Sequence, residues 1–138
     1  MLEIAEVGPD DTLYDLGCGD ARILITAVEK FGAKKAVGYE IKKDVYKIAL
    51  STVESHKLKR RIKIINGDLF NADISKATVI TLYLTGSGNE ELKPKLERET
   101  RPGARIVSHD FEIHGWKPIK KENYRGDTLY LYRIPESL

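Results

Sequence analysis

The sequence predicts an α/β fold: a mainly parallel sheet of about seven strands, with helices on both faces and an antiparallel hairpin at the C-terminus. Two observations carry the prediction. From Thr12 to His109, short apolar runs alternate with segments of helical period. Alternation of that kind joins parallel strands through crossover helices. The last stretch, "WKPIKKENYRGDTLYLYRI", instead reads as two strands joined at Arg125-Gly126-Asp127, a hairpin signal.

Each element has its own warrant. "TLYDLG" reads as a buried strand. "ARILITAVEKFG" is a helix, with Ile23, Leu24, Ala27, Val28 and Phe31 on one face and Gly32 as its stop. "KAVGYE" is the second strand. "KDVYKIALSTVESH" is the second helix, with Val45, Ile48, Ala49, Thr52 and Val53 inward. "IKIINGD" is the third strand, and "ATVITLYL" the fourth, apolar on both faces as a central parallel strand should be. "PKLERET" is helical with Pro94 at its first position, where a missing N–H costs nothing. "ARIVSH" is the fifth strand.

Length and composition bound the rest. At 138 residues the chain, 1–138, is expected to be one domain. A formal net charge of +2 is too mild to argue for nucleic acid, and no direct nucleic-acid binding is expected. "KLKRRIK" (Lys57 to Lys63) joins the second helix to the third strand, on the edge away from the expected ligand, and reads as a solvated turn. Cys18 is the only cysteine, so an internal disulfide is impossible and a reducing, cytoplasmic setting is expected. No apolar run is long enough to span a bilayer as a helix, and no membrane association is expected.

In parallel sheets of this kind ligands bind beyond the carboxyl ends of the strands. "YDLGCGDAR" stands there, closing the first strand with Asp15 and the Gly17-Cys18-Gly19 turn. A dinucleotide fingerprint would need a third glycine, but Arg22 holds that place, and Asp15 would repel phosphates. S-adenosylmethionine resolves the conflict, because it carries no phosphate but has an ammonium and a sulfonium. Glu40 closes the second strand, where it can accept bonds from both ribose hydroxyls. Asp68 closes the third, within reach of an adenine amino group, with Leu69 and Phe70 available against the ring. Ile41, beside Glu40, completes the expected cofactor set, and Cys18 is expected to fill space in the turn.

With these residues in view, the sequence resembles the class I, Rossmann-like S-adenosylmethionine-dependent methyltransferases. It is most similar to the small archaeal protein lysine methyltransferases and their single-domain mitochondrial and bacterial relatives. The motifs that carry the resemblance are "YDLGCGDARI", "KAVGYEI", "INGDLF", "ISKATVITLYL", "LKPKLERE" and "RPGARIVSHDFEIHGW", which together cover nearly the whole chain. The resemblance implies that Asp15, Gly17 and Gly19 hold the methionine part, Glu40 the ribose and Asp68 the adenine. It also implies methyl transfer to lysine ε-amines of proteins with broad substrate choice, basic chromatin proteins included. Such relatives begin with a further segment carrying a Tyr-Val-Pro-Thr-Pro-like motif and a full helix. "MLEIAEVGPDD" is expected to supply only the last part of that helix, leaving a lid segment out.

The exits of the fourth and fifth strands lie on the same edge and give the expected acceptor side: Tyr83, Thr85 and His109 as catalytic candidates, Phe111 and Trp116 as substrate-binding ones. Asp110 and Glu112 stand beside them to attract a cationic lysine. Tyr83 has a competing reading as core, and Trp116 as a packing anchor. His109 is a candidate base, and His109 and His114 are each expected to lack the further ligands a metal site needs. His56 reads as a surface residue at a helix end. The alternatives are an RNA or DNA methyltransferase, a small-molecule methyltransferase, and a non-catalytic module that keeps the cofactor fold. Against the first stand two absences: an Asn/Asp-Pro-Pro-aromatic turn after the fourth strand, and a second cysteine.

Overall fold

The computed structural model describes all residues, Met1–Leu138. Seven strands form one sheet: β1 (Thr12–Leu16), β2 (Lys35–Glu40), β3 (Ile62–Asn66), β4 (Val79–Leu82), β5 (Arg105–His109), β6 (Lys120–Tyr124) and β7 (Asp127–Arg133). Three α-helices connect them: α1 (Arg22–Glu29), α2 (Lys43–Ser55) and α3 (Gly86–Glu99). The strand order is β3-β2-β1-β4-β5-β7-β6, parallel except for β7, which runs antiparallel to both β5 and β6. The chain builds outward from β1 to β3, then returns to the other side of β1 for β4, so the order reverses between β1 and β4. Gaps between diverging crossovers at such a point are where ligands enter.

Alternation along the strands divides the core into two layers. Leu13 faces a layer with Leu24, Ile25, Val28, Ala49 and Val53 of α1 and α2. Its neighbours Tyr14 and Leu16 face the opposite layer, with Leu92 and Leu96 of α3. The N-terminal segment joins the first layer through Leu2, Ile4, Ala5 and Val7. Asp11, Thr78 and Arg105 tie the base of β1, β4 and β5 together. Thr78 donates to Asp11, Arg105 pairs with Asp11, and Arg105 also donates to the carbonyl of Ala5.

Four expectations are corrected. The helix assigned to "PKLERET" begins eight residues earlier, at Gly86, and Pro94 lies inside it. Thr85 caps the true start by accepting from the Gly88 N–H at 3.0 Å. Burial of Leu92 and Leu96 one turn apart carries the helix across the proline. The carbonyl that Pro94 leaves unpaired belongs to Glu90, an exposed residue. On α2, Ile48 is 56% exposed, because only Ala49 and Val53 meet the sheet fully. On α1, Ile25 is buried while Ile23 and Phe31 are only half-buried. The segment before Gly8 is a pair of turns rather than the end of a helix, with Glu6 N–H bonded to Glu3 and Val7 N–H to Leu2.

The hairpin is as expected. Arg125 and Gly126 form a two-residue loop, both at positive φ (52° and 87°), which matches the strand twist. Behind it, Tyr132 is fully buried and its hydroxyl accepts from the Ile113 N–H at 3.0 Å. That bond ties the long β5–β6 connection to the core. Tyr132→Phe would strand a buried amide and should cost about 1–3 kcal/mol, measured by urea unfolding. An unchanged midpoint would show that Ile113 is held by packing alone.

Candidate active site

The glycine-rich turn leaves β1 and lies directly on β2. Its Gly17 and Cys18 N–H groups both donate to the Tyr39 carbonyl, at 3.0 and 2.9 Å. Gly17, Gly19 and Ala21 all have positive φ (89°, 56° and 71°), so the chain reverses tightly before α1 begins. The contact needs Gly38. A Cβ there would sit 2.6 Å from Leu24 and 2.7 Å from the Cys18 side chain, closer than real contacts allow. Sequence reasoning missed Gly38, whose only signal was a glycine inside a strand. Cys18 fills the space above it as expected, and burial pushes its thiol up to about 12, so it stays protonated.

Three acids converge around this turn. Asp15 is buried opposite both Gly38 and Thr81, and accepts from the Thr81 hydroxyl at 3.0 Å across the β1–β4 reversal. Burial raises its carboxyl to about 7, with a further rise from the charge of Glu40 and an opposing effect of Thr81. Glu40 accepts from Gly19 N–H (3.0 Å) with one oxygen and Lys42 N–H (3.1 Å) with the other, pinning the turn to the end of β2. Asp68 caps a short 3₁₀ turn at Leu69–Asn71 by accepting from Phe70 N–H, and otherwise faces solvent. This cap leaves the second carboxylate oxygen open. None of these three acids has an ion-pair partner in the chain. Beside them Ile41 is 65% exposed, and Leu69 is half-buried.

This donor set fits S-adenosylmethionine. Acids without cations suit its ammonium and sulfonium, paired carboxylate oxygens suit ribose hydroxyls, and exposed apolar side chains suit an adenine face.

On the other side of the reversal, the exits of β4 and β5 meet. Tyr83 is 59% exposed, so it is not core, and its ring stacks on His109 with centroids 4.0 Å apart and planes 14° off parallel. The β5 exit is a tight turn: Asp110 has φ 64° and Phe111 N–H bonds back to the His109 carbonyl at 2.8 Å. Such γ-type geometry is strained and persists only where neighbours over-determine it. Here Asp110 exchanges two bonds with Thr128 of β7, through N–H to the Thr128 carbonyl and through its carboxylate from the Thr128 N–H. Asn89 of α3, fully buried, donates to Ser108 and to the Phe111 carbonyl, leaving its own oxygen without a partner. The Phe111 ring lies against Gly86, exposed at the rim.

Several expectations change at this side. His109 does not stand alone: its two ring nitrogens face Asp110 (3.6 Å) and Asp127 (3.2 Å), the latter brought by the hairpin. The donor atoms of all three lie within 4.8 Å of one another. Neither contact is a hydrogen bond, so the cluster leaves His109 in place as a candidate base. Thr85 is a helix cap at the rim rather than a free hydroxyl. Trp116 is removed from the site: it is 7% exposed, packs edge-on against Tyr132 at 5.6 Å and donates to Glu97. His114 is exposed on the α3 side, its N–H donating to Glu90, and His56 is a surface residue paired with Glu29.

Comparison with known proteins agrees with this geometry. The family model for the ANTKMT methyltransferase domain matches residues 15–120. A protein-lysine N-methyltransferase of Saccharolobus islandicus is 52% identical, over 99% of this chain and 87% of that protein. The adenine nucleotide translocase lysine N-methyltransferase of Mus musculus is 26% identical over 92% of this chain, which spans only 55% of that relative. A crystal structure described as an RNA methyltransferase from Salinibacter ruber, in complex with S-adenosyl-L-homocysteine, superposes with a TM-score of 0.95. It is 44% identical and covers 99% of this chain and 89% of its own.

Two predictions follow from the site's physics. Gly38→Ala would push the turn off β2. It should destabilise the fold by about 1–3 kcal/mol and weaken S-adenosylhomocysteine binding about tenfold or more, measured by calorimetry. Normal affinity in a folded variant would show that the turn does not need the close approach. The second prediction concerns pH. A carboxyl at about 7 is protonated below neutrality, and a ligand ammonium beside it favours the ionised form. Binding therefore releases a proton below pH 7, and affinity should rise from about pH 5 to about pH 7, then level. Without ligand the sign is opposite: the folded state holds the extra proton, so Asp15 makes stability fall over the same interval. Asp15→Asn should flatten both profiles, and a flat wild-type affinity would remove Asp15 from the ligand.

Proposed function

Because the chain belongs to the ANTKMT methyltransferase family, we propose that it transfers the methyl group of S-adenosylmethionine to lysine ε-amines of proteins. The observation that carries the reading is the set of three acids without cationic partners at three successive strand ends, beside a stacked aromatic pair on an acidic rim. The 52% identical Saccharolobus protein supports lysine as the acceptor.

In this reading Asp15, Gly17, Cys18 and Gly19 form the cradle of the methionine part. Glu40 takes the ribose, and Ile41, Asp68 and Leu69 take the adenine. The bound cofactor supplies a methyl group on a sulfonium, which a neutral amine displaces in line. The chain's own residues prepare that amine. Asp110 and Asp127, both exposed, draw a lysine ammonium toward the β5 exit. The Tyr83 face receives its stem by apolar contact. Desolvation there lowers the amine's pKa, and the proton leaves to water. Phe111 and the cap at Thr85 complete the rim. Proteins rich in exposed lysines, chromatin proteins among them, present the complementary charge.

RNA is the second reading, favoured by the description of the 44% identical Salinibacter structure. The electrostatics of the rim oppose it: Asp110, Glu112 and Asp127 would repel a phosphate backbone.

The test is mass spectrometry of a lysine-rich protein and of an RNA after incubation with cofactor. Methyl groups are expected on lysine, at a rate that rises with pH. Tyr83→Ala should lower turnover about tenfold while leaving cofactor affinity within about twofold, because it disturbs alignment in the transition state. Methyl groups on RNA alone would overturn the lysine acceptor, and normal turnover in the variant would remove Tyr83 from it.

A further inference from the structure

We propose that the edge of the sheet opposite the methyl-transfer site is a nucleic-acid-binding groove that grips the phosphate backbone without reading sequence. Along the chain, Lys57–Lys63 looks like a solvated turn and gives no reason to expect nucleic acid. The fold changes its meaning by bringing it beside other strand starts. A groove of about 770 Å³ opens there. Lys34 and Lys35 enter it from the start of β2, Lys59, Arg60, Arg61 and Lys63 from the start of β3, and Lys76 from the segment ahead of β4. All seven are exposed, and none forms an ion pair. Glu54 is the one acid among the lining residues. Removing these eight charges from a chain of 23 basic and 21 acidic residues leaves the rest of the molecule net acidic, so the mild total charge conceals a segregated one.

The shape is as informative as the charge. Arg61 is anchored by donating to the carbonyls of Gly32 and Ala33, which fixes the α2–β3 turn against the end of α1. The cations therefore sit on a framed concave surface rather than on a loose tail. Seven like charges held this close repel one another, and a regular polyanion relieves the repulsion while releasing its own condensed counterions. Seven lysines and arginines with one carboxylate, set among aliphatic residues, Thr12 and Tyr14, offer little that would select a particular acidic protein. It lies at the amino ends of β2 and β3, whereas the acids of the cofactor cradle lie at the carboxyl ends. Nucleic acid held in it is therefore out of reach of the methyl group and is not itself methylated. It places the acidic rim toward proteins that coat the same strand. The inference does not depend on lysine being the acceptor.

Fluorescence anisotropy with labelled duplex DNA of about 20 base pairs, and with single-stranded RNA of the same length, tests it across a salt series. The wild-type protein should bind at least one of them, with log affinity falling by about 3 or more per decade of salt. The triple variant Lys59→Ala, Arg60→Ala, Lys63→Ala, which spares the anchored Arg61, should bind about tenfold more weakly at about 0.1 M salt with a shallower slope. Unchanged S-adenosylhomocysteine affinity in the variant would confirm an intact fold. Binding of neither probe, wild-type binding by the variant, or displacement by polyglutamate as effective as by unlabelled nucleic acid would each overturn the proposal.

Discussion

Where the glycine-rich turn crosses β2, two pieces of backbone approach as closely as a missing side chain permits. Gly38 supplies the gap, Cys18 and Leu24 fill it, and the Glu40 carboxylate fastens Gly19 from the other side. This contact fixes where α1 starts, and with it the spacing between Asp15 and Glu40. Two carboxyl groups brought together with no cation would ordinarily be a defect. Burial of Asp15 is the main cause of its raised value, and the charge of Glu40 adds a smaller rise. A cationic ligand removes the defect, so the arrangement is complementary to something absent from the chain itself. The cost at the site is thus electrostatic, and the turn that creates it is held by two backbone bonds to Tyr39 together with the Glu40 carboxylate.

The acceptor side depends on the same topology from the other direction. β7 runs antiparallel beside β5, so its first residues arrive next to the exit of β5. Asp127 and Thr128 reach the His109–Phe111 turn only because of that pairing. Thr128 holds the strained Asp110, Asp127 holds His109, and Asn89 reaches the turn from α3. Two elements distant in sequence, β7 and α3, thereby fix one left-handed residue. A rim built this way is rigid where it meets the Tyr83 ring, and rigid alignment is what an in-line displacement requires.

Much of this was legible along the chain because it follows from local rules. Alternating periods predicted the parallel sheet, and an acid at the end of each of three strands predicted the cradle. Arg125-Gly126 marked the hairpin. What escaped were consequences of pairing across long separations. Pro94 suggested a helix start because single-sequence reasoning weighs a missing N–H, whereas the buried Leu92 and Leu96 outweigh it. Trp116 looked like a site residue by its nearness to His109 in sequence, but an aromatic of that size is drawn to the gap between α3 and Tyr132. Asp127 and Gly38 carried no chemical signal at all: one is an ordinary turn acid, the other a glycine inside a strand. The basic groove was split among three loops, each unremarkable alone.

The charge pattern that results has a mechanistic consequence. An acidic rim attracts ammonium groups but also stabilises them in the charged form, which cannot attack a methyl group. The geometry separates the two effects in space. Asp110 and Asp127 lie at the edge of the His109 ring, and the Tyr83 ring stacks on a face of the imidazole. In the proposed reading a lysine meets the carboxylates of one strand exit and the aromatic surface of the other. Attraction acts at long range, where the amine is still hydrated, and desolvation acts at contact, where it must be neutral. His109 stands between the carboxylates and the Tyr83 ring, and that placement keeps the two surfaces apart.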